Sequence, residues 1–251
     1  GASSVLYGAN AATAVINIRT KTPEQTPLAL SLQGSAGTHN PPEESRWDLG
    51  RFSHFANLGG RQGRLDYGAA FTYQYTNGLS SLSTGVEKDP YSIWSLDLNL
   101  GIRLSEKSRI GLFANKGRMK SDFDDSFNGG DAPFQYRTAQ ERAGLMWEWK
   151  DSLQQIQLIG AFTEFQSINQ SDFPASFEGK SLTADITYKR QLTRRLYGLA
   201  GLNFIRDWAA LENPEEFTLL DPYLNLVWMD PSGWNLNAGL RLNIHSTYGS
   251  K

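Results

Sequence analysis

Carboxylates are the side chains most suited to chemistry in this sequence, and they are concentrated in residues 121–136. The stretch contains four closely spaced aspartates: Asp122, Asp124, Asp125 and Asp131. Such a group can bind Ca²⁺, which prefers hard oxygen ligands. The spacing is not that of an EF-hand, because Pro133 stands where that loop requires its final glutamate. The four residues predict a calcium site, and an ordinary solvated acidic loop is the alternative.

Four other residues are candidates for contact with a ligand. Phe134 and Tyr136 end the same acidic stretch, and Arg241 and His245 share one face of the last predicted strand. The sequence has no nucleophile elbow, P-loop, zinc motif or dinucleotide fingerprint. We therefore predict no catalytic residue and no cofactor other than calcium. If the protein were an enzyme, His39 or His245 would have to supply a histidine base.

Composition limits the class of protein. The 251 residues carry a formal net charge of −2 and no cysteine. Without a basic patch, nucleic acid is not an expected partner, and without cysteine there are no disulfides or thiolate metal sites. No run of about 18 apolar residues occurs, so no membrane helix is expected. The mean hydropathy of −0.44 still permits a membrane barrel, because only alternate residues of its strands meet lipid.

Alternation of apolar and polar residues is the dominant pattern, and it predicts β-strands with one apolar face. Residues 94–104 and 234–245 show it most clearly. Phe52 and Phe55 fall on opposite faces of the second strand, which a β-bulge would explain. About eleven strands are expected, several of them long enough to cross a bilayer with a tilt. They lie near 28–37, 46–58, 64–76, 91–104, 108–120, 137–150, 154–167, 181–191, 195–208, 220–229 and 233–246.

The predicted connections alternate between short and long. The short ones are 59–63, 105–107, 151–153, 193–194 and 230–232, and the long ones are 38–45, 77–90, 121–136, 168–180 and 209–219. This is the layout of an up-and-down outer-membrane barrel with its long loops outside the cell. A large soluble β-sandwich or barrel is the alternative.

The tryptophans support the barrel. All seven can share the apolar face and fall near strand ends: Trp47, Trp94 and Trp208 at the extracellular end, and Trp147, Trp149, Trp228 and Trp234 at the periplasmic end. Two interfacial girdles of this kind are typical of membrane barrels. The opposite face is polar, so the interior must be wet or filled by another polar domain.

Residues 1–21 do not follow the barrel pattern. They contain Gly1, Ser4, Leu6-Tyr7-Gly8, Ala11, Val15-Ile16-Asn17-Ile18 and Thr20-Lys21, followed by a proline-bearing linker up to Pro27. This string resembles the end of the plug domain of TonB-dependent outer-membrane receptors, with Ala14 standing where that family usually has glycine.

The resemblance implies a 22-stranded barrel closed by an N-terminal plug, which takes up metal chelates, vitamins or glycans with energy delivered by TonB. We accordingly predict an all-β, transmembrane, antiparallel up-and-down β-barrel in the bacterial outer membrane. Residues 1–24 would be the C-terminal end of the plug, and residues 25–251 the N-terminal half of the barrel. The expected partners are outer-membrane lipid, a small-molecule or oligosaccharide ligand, and TonB through a part of the protein not in this sequence.

From the number of strands we expect this chain to be a fragment of a longer protein. Eleven strands are about half of the family's barrel, and a free half-barrel would leave two unpaired edges in lipid. An outer-membrane β-barrel enzyme and a smaller passive pore are the alternative functions.

Overall fold

The structure is a computed structural model that describes residues 26–38, 48–80, 82, 87–125, 128–210 and 214–250. The plug-like motif of residues 1–24, the predicted domain boundary beside it, His39 and Trp47 lie outside the described residues. Within the described ranges the chain forms one antiparallel sheet of 13 strands. Those ranges contain no helix that could cross a membrane.

The strands follow one another across the sheet in chain order. Each pairs antiparallel with the next as far as β10, β11 and β12 both pair with β10, and β13 pairs with β12. Their bounds are β1 Ala29–Gly37, β2 Arg51–Gln62, β3 Leu65–Thr76, β4 Tyr91–Arg103, β5 Ser108–Asp125, β6 Gly130–Lys150, β7 Gln154–Gln170, β8 Ala175–Gln191, β9 Leu196–Ala210, β10 Glu215–Met229, β11 Asn235–Arg241, β12 Ile244–His245 and β13 Gly249–Ser250. The up-and-down, all-β prediction is confirmed.

The predicted alternation of loop lengths is wrong in three places. Most of residues 121–136, 168–180 and 209–219 belongs to strands, so that β5–β6, β7–β8 and β9–β10 are tall hairpins. These segments lack apolar alternation, and the sequence pattern therefore read them as loops. Strand pairing continues there because it satisfies backbone N–H and C=O groups whatever the side chains are. We call this end of the sheet the hairpin rim, and the end with the β2–β3, β4–β5 and β6–β7 connections the turn rim.

Two further predictions about strands need correction. No bulge explains Phe52 and Phe55, since β2 pairs with both neighbours without a register shift and the two rings simply lie on opposite faces. The last predicted strand is interrupted between β11 and β12, although its register with β10 is unchanged across the gap. The interruption lies opposite Pro222, which has no N–H to donate to the ladder.

The polarity of the sheet is inverted relative to a soluble protein. Among the described residues, the buried apolar side chains are Ala161 and Tyr223, whereas the buried polar ones are Asp66, Asp124, Thr187, Asp221 and Asn225. Large apolar side chains are exposed on the opposite face, as shown by Leu112 at 52% and Leu240 at 73%. An apolar outer face and a polar inner face fit a barrel in lipid and disfavour the soluble sandwich.

Tryptophans lie on the outer face at both rims, as predicted. The strand register places Trp147, Trp149 and Trp228 beside outer-face apolar residues near the turn rim, and Trp94 and Trp208 nearer the hairpin rim. Trp234 lies just before β11 and is 69% exposed.

Candidate ligand-binding site

An aromatic cleft opens on the inner face of β7–β10, close to the hairpin rim. We define the inner-face cleft by Phe165, Phe177, Gly179, Asp207 and Phe217, and its volume is about 380 Å³. It lies within the polar face of the sheet, so apolar rings there are exceptions to the local pattern. The cleft is therefore a candidate ligand site on the inner wall.

Small residues create the space for this cleft. The register places Phe165 opposite Gly179, and Gly179 opposite Ala209. The Phe177 ring lies over Gly179, where an added Cβ would come within 3.1 Å of the ring. The centroids of the Phe165 and Phe177 rings are 6.2 Å apart at an interplanar angle of 50°. Two rings therefore form one wall, above a floor with almost no side chains.

The opposite wall is formed by Phe217, which contacts one of the predicted residues, His245. Phe217 stacks on the His245 ring with centroids 5.2 Å apart, and the centroid of the Tyr248 ring is 4.8 Å from that of His245 at an interplanar angle of 39°. His245 Nδ1 accepts a hydrogen bond from the Thr247 backbone N–H. Among the described residues, the contacts of this imidazole are therefore two aromatic rings and one backbone N–H group.

Asp207 gives the cleft a polar group. Its side chain is half-buried, and within the described ranges it makes no hydrogen bond or ion pair. A half-buried carboxylate of this kind accepts hydrogen bonds from any donor that enters the cleft. Glu215 also lines the cleft, so the cleft is acidic as well as aromatic.

Arg241, a predicted ligand residue, lies farther from the hairpin rim than the cleft does, and it is bound by other side chains of the protein. Its guanidinium donates two hydrogen bonds to Asp221 Oδ2, and its charge lies over the Tyr223 ring, 5.3 Å from the centroid. The Tyr223 hydroxyl is 3.1 Å from Thr187 Oγ1, which in turn donates to Asp185. Arg241 therefore belongs to a polar network that joins β8, β10 and β11.

Phe134 and Tyr136, the remaining ligand candidates, lie on the inner face of β6 in the β5–β6 hairpin. Phe134 packs against Phe123 of β5, with ring centroids 5.7 Å apart at 58°. Ligand contact by Phe134 and Tyr136 stays a prediction.

The four aspartates of the acidic stretch diverge. Asp122 accepts a hydrogen bond from Gln135 Nε2, and Asp125 accepts two from Asn128 in the hairpin turn. Asp124 is buried, and Asp131 is exposed on β6. The calcium site stays a prediction, but the four aspartates do not converge on one point.

Asp124 instead joins two acids from the β3–β4 connection that the sequence pattern did not suggest. The carboxylate oxygens of Glu87, Asp89 and Asp124 lie within 4.8 Å of one another. Desolvation raises the pKa of Glu87, and a hydrogen bond with Asp124 and the charges of Asp131, Asp124 and Asp89 raise it further. A proton held between carboxylates therefore lowers the repulsion in this cluster.

The raised pKa of Glu87 predicts that acid stabilises the β3–β4 connection. The folded state binds the proton more tightly than the unfolded chain, whose glutamate has a pKa of 4.5. The stabilisation is complete below that value and is lost as pH rises through the higher folded pKa. We expect proteolysis within residues 77–90 to become faster as pH increases above 4.5, and Glu87→Gln to flatten this dependence.

A matched control is Glu106→Gln in the connection at the turn rim, remote from the cluster. It should leave the pH dependence unchanged. An unchanged slope in Glu87→Gln would contradict the prediction, and a Ca²⁺ titration of the same cleavage tests the calcium expectation.

The inner-face cleft was missed in the sequence, although a signal was present. Three phenylalanines stand at inward-facing positions, where the alternation otherwise places polar residues such as Thr163 and Ser181: Phe165, Phe177 and Phe217. An aromatic residue at an inward-facing position of a barrel strand indicates an apolar spot on the inner wall. The sequence could not show that three such rings line one cleft.

Known structures share this fold. The siderophore receptor PirA from Acinetobacter baumannii superimposes with a TM-score of 0.81 at 14% identity, covering 100% of this chain and 43% of that one. A variant of the ferric enterobactin receptor PfeA from Pseudomonas aeruginosa gives 0.79 at 13%, covering 100% and 44%. The FrpB iron transporter from Neisseria meningitidis gives 0.71 at 13%, covering 98% and 42%.

These likenesses establish the fold. The chain has the strand topology of the barrels of siderophore and iron receptors, which confirms the predicted all-β, antiparallel up-and-down fold. It spans less than half the length of the structures that it matches. No protein-family model and no curated protein matches the sequence.

Proposed function

We propose that this chain is part of a bacterial outer-membrane receptor that takes up a metal chelate in a TonB-dependent manner. The observation that carries the proposal is the superposition of the whole chain on siderophore-receptor barrels at a TM-score of 0.81. The exposed apolar outer face supports a location in lipid. TonB would act through a part of the protein outside this sequence.

The inner-face cleft supports a role in ligand binding. Aromatic walls with few polar groups are typical of small-molecule sites, because the rings supply contact area and the polar groups fix orientation. A ligand here would stack on Phe165 and Phe217 and donate a hydrogen bond to Asp207. The acidic lining favours a chelate that presents hydrogen-bond donors or positive charge to this part of the wall.

The proposed uptake is tested by growth under iron limitation. A strain lacking the gene should fail to grow on one member of a panel of ferric chelates, and the wild-type gene should restore growth. Restoration should be lost when the TonB system is inactivated. Growth that does not need TonB would indicate the passive pore, and a chemically altered chelate would indicate the enzyme.

Phe217→Ala is expected to weaken ligand binding by about 10- to 100-fold, as is usual for an aromatic residue at the centre of a binding site. The measurement is the concentration of radiolabelled chelate that gives half-maximal binding to whole cells. Phe204→Leu is the matched control, because Phe204 lies on the neighbouring strand β9 but on the outer face. Equal affinities for the two variants would exclude the cleft as the ligand site.

A further inference from the structure

A band of charged residues lies on the outer face of β5–β10, on the hairpin-rim side of the apolar residues. Three of its cations are paired with a carboxylate on an adjacent strand: Lys116 with Glu141, Lys180 with Glu164, and Arg206 with Glu216; Lys180 also contacts Glu178 of its own strand. These pairs are at the height where the strands leave the apolar belt. They leave no net positive charge at their positions.

Three other cations in this band form a group of like charge, which we call the outer cationic patch: Arg118, Lys120 and Arg137. The register places Lys120 directly opposite Arg137, and Arg118 lies two residues along the same face of β5. All three side chains are exposed. Like charges directly opposite one another destabilise a strand pair, so this arrangement favours binding of an anion.

The protein itself neutralises the patch only weakly. Within the described part of the chain Arg118 makes no hydrogen bond or ion pair, and Glu141 influences it only through space. Lys120 is 3.6 Å from Asp122, whose Oδ1 also accepts a hydrogen bond from Gln135. Arg137 donates to the neutral Gln135 side chain. The patch therefore retains positive charge.

An apolar groove begins immediately below the patch on the same face. Leu98, Ala114, Ala143 and Phe162 lie directly opposite one another on β4–β7 and form its floor. The two alanines are flanked by larger side chains, which leaves a depression of about 450 Å³ rimmed by Lys116 and Glu141. Ala114 and Arg118 are four residues apart, or roughly 13 Å along the strand at about 3.4 Å per residue.

We infer that the outer cationic patch and this groove bind a lipid that carries phosphate groups on its headgroup. The phosphates would contact Arg118, Lys120 and Arg137, and an acyl chain would lie in the groove. Charge complementarity identifies the occupant, because a cationic group that the protein only partly neutralises borders an apolar depression. The inference rests on the proposed membrane location, and it assigns a specific lipid site to the outer wall.

The test uses the protein extracted in its native form from outer membranes and reconstituted in phosphatidylcholine nanodiscs that contain a small fraction of lipid A. Each basic residue near a headgroup contributes about fivefold in affinity, so Arg118→Gln/Arg137→Gln should bind lipid A about 25-fold more weakly. Lys180→Gln is the matched control, since Lys180 is an outer-face cation already held by two carboxylates. Native mass spectrometry would count the retained lipid.

Two outcomes would overturn the lipid site. One is equal retention of lipid A by the double variant and by Lys180→Gln, and the other is equal retention of lipid A and its dephosphorylated form by the wild type. The double variant should unfold at no lower denaturant concentration than the wild type, because it loses like-charge repulsion. Failure to insert into nanodiscs would instead contradict the membrane location, and so the two failures are distinguishable.

Discussion

Replacing Arg241 with methionine should destabilise the sheet by about 3–5 kcal/mol, the usual effect of removing one partner from a buried ion pair. The Arg241 side chain is only 10% exposed and that of Asp221 2%, so the Asp221 carboxyl group would be left buried without its partner. Asp221 Oδ1 is already buried without a hydrogen bond among the described residues. The free energy of unfolding in lipid vesicles, measured with urea, gives the effect.

A matched control for this variant is Arg206→Gln. The Arg206–Glu216 pair also joins adjacent strands, but its side chains are 43% and 48% exposed, so its loss should change stability by less than about 1 kcal/mol. The double variant Asp221→Asn/Arg241→Met should recover much of the loss, because no uncompensated charge remains. A change in Arg241→Met no larger than that in Arg206→Gln would show that the pair is solvated.

Gly201→Ala should cost about 1–3 kcal/mol, the usual penalty for overpacking a filled site. The Tyr223 ring lies across Gly201, and a Cβ at that position would be 2.2 Å from Tyr223 Cζ. The ring is buried and cannot move without losing its contacts with Thr187 and Arg241. Urea unfolding again gives the free energy.

Gly117→Ala is the control for this variant. Gly117 lies on the inner face of β5, and an added Cβ would be no closer than 3.5 Å to the Trp94 carbonyl oxygen, an ordinary contact. Alanine should therefore be tolerated there. In a double-mutant cycle, Tyr223→Ala should remove most of the cost of Gly201→Ala, and additive effects would contradict the proposed clash.

Much of the fold was predictable because the same strand pattern and the same pairing of neighbouring strands repeat along the chain. Alternating residues in 94–104 and 234–245 gave both the strand type and the face of each side chain, and the strand order required only that neighbours in sequence pair. The tall hairpins were not predictable in the same way. Above the apolar belt neither face is selected for hydrophobicity, so residues 121–136 carry no alternation although their backbones pair to near the turn.

The candidate site was less predictable than the fold. His245 was correctly placed on the inner face, but its stacking on Phe217 depends on a pairing between β10 and β12 that only the register fixes. Arg241 also lies on the inner face, where it donates to Asp221, and its contact with a ligand stays a prediction. A strand pattern gives the direction of a side chain, but its partner depends on which residue lies across the ladder.

The acidic stretch shows the same division between sequence and structure. The sequence alone identified a concentration of carboxylates in residues 121–136, together with the barrel strands and their apolar outer face. Only the tertiary structure separated Asp122 and Asp125 from Asp124, and brought Asp124 to Glu87. The alternation of apolar and polar residues is a property of each strand and does not depend on how the strands pair. Clusters such as this one and the outer cationic patch, in contrast, form between strands. Their chemistry depends on the register, which hydrogen bonding across the whole sheet determines.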